Sequence, residues 1–144
     1  MERALLSRIE EFLREMNGKM AFVGSQYRLE VGGQEFFVDL LLYHRTLKCL
    51  IAIDLKIGEF LPEYAGKMSF YLTTLDRQER VEGESRPMGI VICRTKNETV
   101  VEYALAALDQ PMGVATYSLS PRLPEQLRGE LPEAEQIERL LGEL

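Results

Sequence analysis

A single histidine and two cysteines are all that the 144-residue chain offers of the softer metal ligands. His44 sits in a polar stretch that reads as a hairpin turn, and with no second histidine a His-rich zinc site or a serine triad has nothing else to build on. Cys49 and Cys93 each lie in an apolar run without a partner at metal spacing, which fits small buried hydrophobes in a reducing compartment. No run approaches the roughly 18 consecutive apolar residues of a membrane span. The N-terminal stretch "MERALLSRIEEFLREMNG" reads as an amphipathic helix and not as a signal peptide, so the cytoplasm is the expected location and no membrane is expected among the partners. Gly32-Gly33 is embedded in neither a G-x-G-x-x-G nor a Walker pattern, so it is explained by turn geometry and not by phosphate binding. Internal repeats and low-complexity tracts are missing as well.

A general excess of positive charge is also lacking. The net charge is -6, which excludes a surface that attracts nucleic acid everywhere and confines any phosphate-binding surface to a local patch. With 46% hydrophobic and 28% charged residues, the chain can bury one proper core and is too short for two. The expected division is a domain over residues 1–120 and an acidic C-terminal helical tail over 121–144, where six Glu stand against three Arg.

Within the domain, Leu5, Leu6, Ile9, Phe12, Leu13 and Met16 recur at helical spacing before Asn17-Gly18, predicting a helix over 2–16. Three strand-like runs follow, at 21–31, 34–43 and 48–56, joined by Gly32-Gly33 and by a polar turn around Arg45-Thr46. Pro62 opens a helix running to about 78, on which Tyr64, Met68, Tyr71, Leu72 and Leu75 share a face. An apolar strand from Met88, a helix opened by Asn97 and a last strand from Met112 complete the order α, three β, α, β, α, β. Strand, helix and apolar strand in succession imply a crossover to a parallel neighbour. The fold class is α/β with mixed α+β character: a mixed β-sheet flanked by helices.

Two aspartates interrupt the apolar strands of "FFVDLLLYHRTLKCLIAIDLKIG", Asp39 and Asp54, and a buried unpaired carboxylate is costly. If Gly32 and Gly33 are the loop residues of the first hairpin, Asp39 lies opposite Gln26. If the second hairpin is centred between Thr46 and Leu47, Asp39 lies opposite Asp54, with neighbouring Cβ atoms about 5 Å apart. Strand alternation places Lys56 on the face of Asp54, while Tyr27, Leu29, Phe36, Val38, Leu40, Leu42, Ile51, Ile53 and Leu55 share the other. One face is then core and the other a polar site. Two carboxylates so close repel unless one keeps a proton or a cation joins them, and a hard divalent ion such as Mg²⁺ suits them. Beside it, the Lys56 ammonium could orient the attacking water and offset charge on a phosphorane-like transition state. Arg94 and Lys96, after the strand from Met88, are candidate contacts to a nucleic-acid backbone, with solvated loop charge as the plain alternative.

An acid in one strand followed by "DLK", Asp54 to Lys56, resembles the PD-(D/E)XK nuclease superfamily, with Val38 where that pattern has proline. The wider text, from "FVGSQYRLEVGGQEFFVDLLLYHRTLKCLIAIDLKIGEFLPEYAGKMSFYL" through "VVEYALAALDQPMGVATY", is similar to the nuclease domain at the C-terminus of YhcG-like bacterial proteins. The resemblance implies a restriction-endonuclease-like αβββαβ core. It implies Asp39, Asp54 and the backbone carbonyl of Leu55 as ligands of Mg²⁺ or Mn²⁺, and Lys56 as the catalytic lysine. It adds a glutamate from the first helix, Glu15 with Glu11 as its rival. It also sets Lys67 and Tyr71 at the spacing of a Gln-x-x-x-Tyr motif, with lysine in place of glutamine, as a nucleic-acid contact. The implied activity is metal-dependent hydrolysis of DNA, or of RNA; the alternative is a nuclease-like module that binds nucleic acid or protein without cutting. Expected partners are nucleic acid, a second copy of the chain, and a companion domain or protein outside this sequence.

Overall fold

The computed structural model describes residues 20–116. The helix expected over 2–16, with Glu11 and Glu15, and the tail expected over 121–144 lie outside them. The described part contains five strands, β1 (Met20–Val31), β2 (Gln34–His44), β3 (Cys49–Leu55), β4 (Met88–Cys93) and β5 (Met112–Thr116). Two helices join them, α1 (Pro62–Gln78) between β3 and β4 and α2 (Glu98–Ala106) between β4 and β5. The strands form one sheet in the order β1-β2-β3-β4-β5. Its first three strands are antiparallel, while β3, β4 and β5 run parallel to one another.

Local chemistry accounts for these elements. Gly32 and Gly33 have φ of 59° and 80°, the pair of positive values that a tight two-residue hairpin needs and that side chains resist. The β1–β2 register that follows pairs Val31 with Gln34 and Tyr27 with Val38, as the turn predicted. It slips by one residue between Phe22 and Gly24, at a bulge. The second turn holds β2 and β3 in the expected register, Leu40 opposite Ile53 and His44 opposite Cys49. His44 is not a surface decoration of that turn: it is fully buried, and its Nδ1 accepts the Leu47 N–H at 3.0 Å. Helix α1 starts with Pro62 in its first turn, and α2 is capped by Asn97, whose side chain accepts the Thr99 and Val100 N–H groups at 3.0 and 3.2 Å.

Both faces of the sheet are packed, which corrects the expectation of one apolar and one polar face. Leu40, Leu42, Ile51, Ile53, Leu55, Ile90 and Ile92 form one cluster. On the other side, Leu41, Leu50, Ala52, Val91 and Cys93 meet the α1 residues Ala65, Met68, Tyr71, Leu72 and Leu75. Tyr27, Leu29, Phe36 and Val38 belong to this helix side and not with Leu40 and Leu42. The physical reason is Gln26, whose φ of 48° is left-handed. The ladder skips Gln26 and Asp39, and side-chain alternation is broken at that rung. Beyond it the hairpin leans over α1: Phe36 meets the Phe70 ring edge-on with centroids 4.8 Å apart, Tyr27 donates to Glu79, and Gln78 Nε2 donates to the Glu30 carbonyl at 2.9 Å.

The cysteines are buried and unpaired, as expected, with burial pushing the Cys49 thiol up to about 11 and the Cys93 thiol up to about 12. Helix α1 packs tightly over Gly89, where an added Cβ would sit 2.7 Å from Met68 Cγ and Sδ and 3.1 Å from Leu72 Cδ1. Met68 and Leu72 are themselves buried and have little room to give. Gly89→Ala is therefore expected to cost about 1–3 kcal/mol, seen as a melting temperature lower by roughly 3–10 °C. An unchanged melt would mean that this contact is loose.

Candidate active site

The site lies where β2 and β3 part. Their ladder ends at Leu40 and Ile53, one rung short of Asp39 and Asp54. At that rung the Asp39 side chain replaces a backbone partner: its Oδ2 accepts the Leu55 N–H at 2.8 Å and its Oδ1 accepts Gln26 Nε2 at 2.9 Å. The predicted row of Gln26, Asp39 and Asp54 is thus brought together, with Gln26 exposed, Asp39 half-buried and Asp54 only 3% exposed. Because the N–H and C=O of one strand residue leave toward the same edge, the Leu55 carbonyl faces the Asp39 side of β3. Lys56 N–H points the other way, donating to the Ile92 carbonyl at 2.8 Å.

Charge is concentrated here at low dielectric. Asp54 is pushed up to about 6, first by burial, then by the neighbouring charge of Asp39, while Lys56 and Lys67 pull it back down. A hydrogen bond with Asp39 adds to the rise by favouring a proton on Asp54. Lys56 Nζ is 3.6 Å from Asp54 Oδ2 and stands over the Tyr64 ring, 5.0 Å from its centroid. Tyr71, 2% exposed, is held protonated, pushed up to about 12 by burial and by the Asp54 carboxylate. Lys67 is exposed, with its Nζ 5.8 Å from the centroid of the Tyr71 ring.

Reading the sequence missed Tyr64 as part of this site. Its spacing puts it on the packed face of α1, where it is half-buried against the core, and it also carries Lys56 on its ring. Its position three residues before Lys67 and seven before Tyr71 was the available signal, since residues so spaced share a helix face. Arg94 is exposed, and Lys96 Nζ donates to the Val114 carbonyl at 2.9 Å, so Lys96 holds the start of α2 against β5. Both lie in the loop between β4 and α2, at the end of the sheet where β3 runs out: Arg94 N–H donates to the Gly58 carbonyl at 3.0 Å, two residues beyond Lys56.

Among the described residues, no three His, Cys, Asp or Glu side chains gather as a ready-made ligand cluster. The donor set still fits a hard divalent cation. It offers two carboxylates and a carbonyl-bearing edge, oxygen ligands throughout, and Asp54 is destabilised as an anion by burial, a cost that a bound cation offsets.

A mixed five-stranded sheet flanked by helices, with an acid, an acid and a lysine where two neighbouring strands fork, is the arrangement of the PD-(D/E)XK nuclease class. The chain belongs to the YhcG PDDEXK nuclease domain family, whose model matches residues 1–132. It is 37% identical over 127 residues to YhcG of Escherichia coli (strain K12), covering 88% of this chain and 33% of that protein. In fold it is similar to a repair endonuclease from Pyrococcus abyssi, with a TM-score of 0.58 at 15% identity over 85% of this chain and 48% of that one. It is also similar to EndoMS in a complex with double-stranded DNA, with a TM-score of 0.53 at 11% identity over 76% and 44% of the respective chains. The chain thus spans about a third of the length of YhcG and about half of each structural neighbour. No helix among the described residues is long and apolar enough to cross a membrane.

Proposed function

We propose that this domain hydrolyses phosphodiester bonds of DNA with the help of a divalent cation, Mg²⁺ or Mn²⁺, held by Asp39, Asp54 and the Leu55 carbonyl. The observation that carries the proposal is a buried carboxylate, Asp54, pushed up to about 6 beside a second acid and with a lysine 3.6 Å away. Such a constellation is costly to stability and is justified where chemistry uses it. When bound, the ion would polarise a phosphoryl oxygen and favour deprotonation of water. The protein's own part is positional. Gln26 and the Leu55 N–H fix the Asp39 carboxylate, and the Tyr64 ring supports the Lys56 ammonium. Lys56 orients the attacking water and offsets charge that accumulates on the phosphoryl oxygens. Tyr71, protonated at neutral pH, is a hydrogen-bond donor and never a base there.

DNA is preferred over RNA on the strength of EndoMS, a protein of similar fold that forms a complex with double-stranded DNA. Lys67, Tyr71, Arg94 and Lys96 are the proposed contacts to the nucleic acid, and Glu15, with Glu11 as rival, the proposed additional acid. Residues 1–120 form the catalytic unit and 121–144 an acidic appendage, in a cytoplasmic protein that works with a companion domain or a second copy. One observation favours the rival reading, a binding module that does not cut: both Asp39 oxygens already accept protein hydrogen bonds.

A panel of single-stranded, duplex, flap and four-way DNA, with matching RNA, separates the two readings. Cleavage is expected with Mg²⁺ or Mn²⁺ and none with EDTA. Wild-type protein that folds, binds DNA and cuts no substrate with either ion would favour the binding module.

A further inference from the structure

Away from the acid pair, a cavity of about 160 Å³ lies between α1 and the segments that lead into β4 and β5. Thr73, Asp76 and Arg77 of α1 line it together with Arg86, Pro87 and Gln110. That volume equals roughly five water molecules at about 30 Å³ each, so a tetrahedral oxyanion fits with water beside it. Pro87 and Gln110 precede β4 and β5, whereas Asp54 and Lys56 stand where β3 ends. Asp54 is in register with Val91, four residues beyond Pro87, about 13 Å along a parallel strand. The cavity is therefore separate from the acid pair and its lysine.

One wall of the cavity is held in place by hydrogen bonds. Gln110 Oε1 accepts the Ser69 hydroxyl, while its Nε2 donates to the Ser69 carbonyl at 3.2 Å and to Thr73 Oγ1 at 2.9 Å. Thr73 Oγ1 is an acceptor there and keeps its own hydrogen to donate. Two guanidinium groups line the cavity from different elements, Arg77 from the last turn of α1 and Arg86 from the segment before β4. Arg77 has no ion pair among the described residues. Arg86 Nη1 is 3.9 Å from Asp109 Oδ2, and that carboxylate is fully exposed, so the pair is loose. Asp76, the acid on the wall, is matched by Arg80, whose Nη1 lies 3.2 Å from Asp76 Oδ1. Three arginines against two aspartates leave a net charge of +1. A last-turn arginine also suits the helix dipole, and Arg77 alone would need no ligand. Arg86, which comes from outside the helix to the same cavity, is not explained in that way.

We propose that this cavity is a second phosphate site, in which Arg77 and Arg86 grip one phosphate group from two sides and the Thr73 hydroxyl adds a further donor. The planar fork of a guanidinium matches two oxygens of a phosphate. The phosphate can belong to a free small molecule or to a nucleic-acid chain. A duplex held at the acid pair would bring to the cavity a phosphate about four nucleotides from the scissile one, at about 3.4 Å per nucleotide. That second source rests on the nuclease reading, while the phosphate site itself stands apart from it.

Two titrations of the 144-residue chain and its variants, both in EDTA, test the site. In the first, inorganic phosphate is added and the side-chain amide signal of Gln110 is followed by nuclear magnetic resonance. Wild type is expected to shift with saturation, and Arg77→Gln and Arg86→Gln to bind phosphate at least about tenfold more weakly. Arg77→Lys, which keeps the charge and loses the fork, is expected to recover part of that affinity. In the second, duplex DNA of about 20 base pairs is bound at about 50 to 200 mM salt. If the phosphate comes from nucleic acid, each Gln variant lowers the slope of log affinity against log salt by about one. An arginine with a merely structural role would lower the melting temperature and move neither readout. Phosphate binding weakened in both Gln variants with an unchanged salt slope supports the site and assigns it to a free small molecule. An amide signal that phosphate does not move, or moves equally in wild type and both Gln variants, overturns the site. Phosphate bound here by a wild type that cuts no nucleic acid with Mn²⁺ would instead overturn the nuclease reading and leave this site standing.

Discussion

Asp54→Asn is expected to abolish cleavage while making the metal-free fold more stable. The loss of activity should reach at least about 10³-fold, because on the proposed reading the substitution removes one of two carboxylate ligands and the anion beside Lys56. The gain in stability follows from linkage. Asp54 is pushed from 3.8 up to about 6 in the folded protein, so between those values the folded state binds more protons than the unfolded chain. Its contribution to stability is then fully present below about pH 4 and is lost as the pH rises through 6. At 1.36 kcal/mol per pH unit, the gap amounts to roughly 2 to 3 kcal/mol at pH 7.5. An asparagine of nearly the same shape carries no charge and escapes that cost. Thermal melts in EDTA should show the variant melting higher than wild type at pH 7.5, with the two converging toward pH 4. Adding Mn²⁺ should raise the wild-type melting temperature and leave that of the variant nearly unchanged. A variant less stable than wild type at pH 7.5 in EDTA would mean that Asp54 is a satisfied structural acid, and the site would lose its strongest physical argument.

Why so much of this site was legible in advance is a matter of hairpin arithmetic. Gly32 and Gly33 can be read as a positive-φ pair, the turn fixes the register, and the register brings Gln26 to Asp39. The second turn did the same for β2 and β3, although its hydrogen bonds run through a buried His44 that sequence alone placed at the surface. The parallel pairing of β3 with β4 followed from the helix between them. What could not be read was Gln26 in a left-handed conformation, because sequence reasoning reserves positive φ for Gly, Asn and Asp. That one residue breaks the alternation and moves Tyr27, Leu29, Phe36 and Val38 to the helix side, so the face expected to be open is packed and Asp54 is buried. Tyr64 was hidden for a different reason: an aromatic at helical spacing looks the same whether it fills a core or supports an ammonium. The names of the motif and the chemistry came from the family resemblance, since a pattern of apolar and acidic residues marks a costly site without saying what it cuts.

Lys56→Ala is expected to lower cleavage by about 10² to 10⁴-fold, the range in which positioned proton-transfer and charge-stabilising groups act. Unlike Asp54→Asn, it should leave metal binding intact. Lys56 has no lone pair to offer a metal while it is an ammonium, and its positive charge 3.6 Å from Asp54 Oδ2 opposes an incoming cation. Calorimetry should therefore show Mn²⁺ bound by Lys56→Ala at least as tightly as by wild type. The fold should lose little. The lysine stands over the Tyr64 ring with about a fifth of its side chain exposed, and a contact of this kind contributes about 0.5–1 kcal/mol. The charge of Lys56 also restrains the rise of Asp54, so its removal should move the pH at which the metal-free protein loses stability upward. Lys56→Arg separates the two duties assigned to this residue. A guanidinium keeps the positive charge beside Asp54 but cannot release a proton near neutral pH. If Lys56 only offsets charge, Lys56→Arg should recover part of the rate; if it also exchanges a proton with the attacking water, the arginine variant should stay near the alanine one. Cleavage by Lys56→Ala at the wild-type rate, with Mn²⁺ still bound, would remove the lysine from the chemistry altogether and leave the carboxylate pair and its cation to account for the reaction.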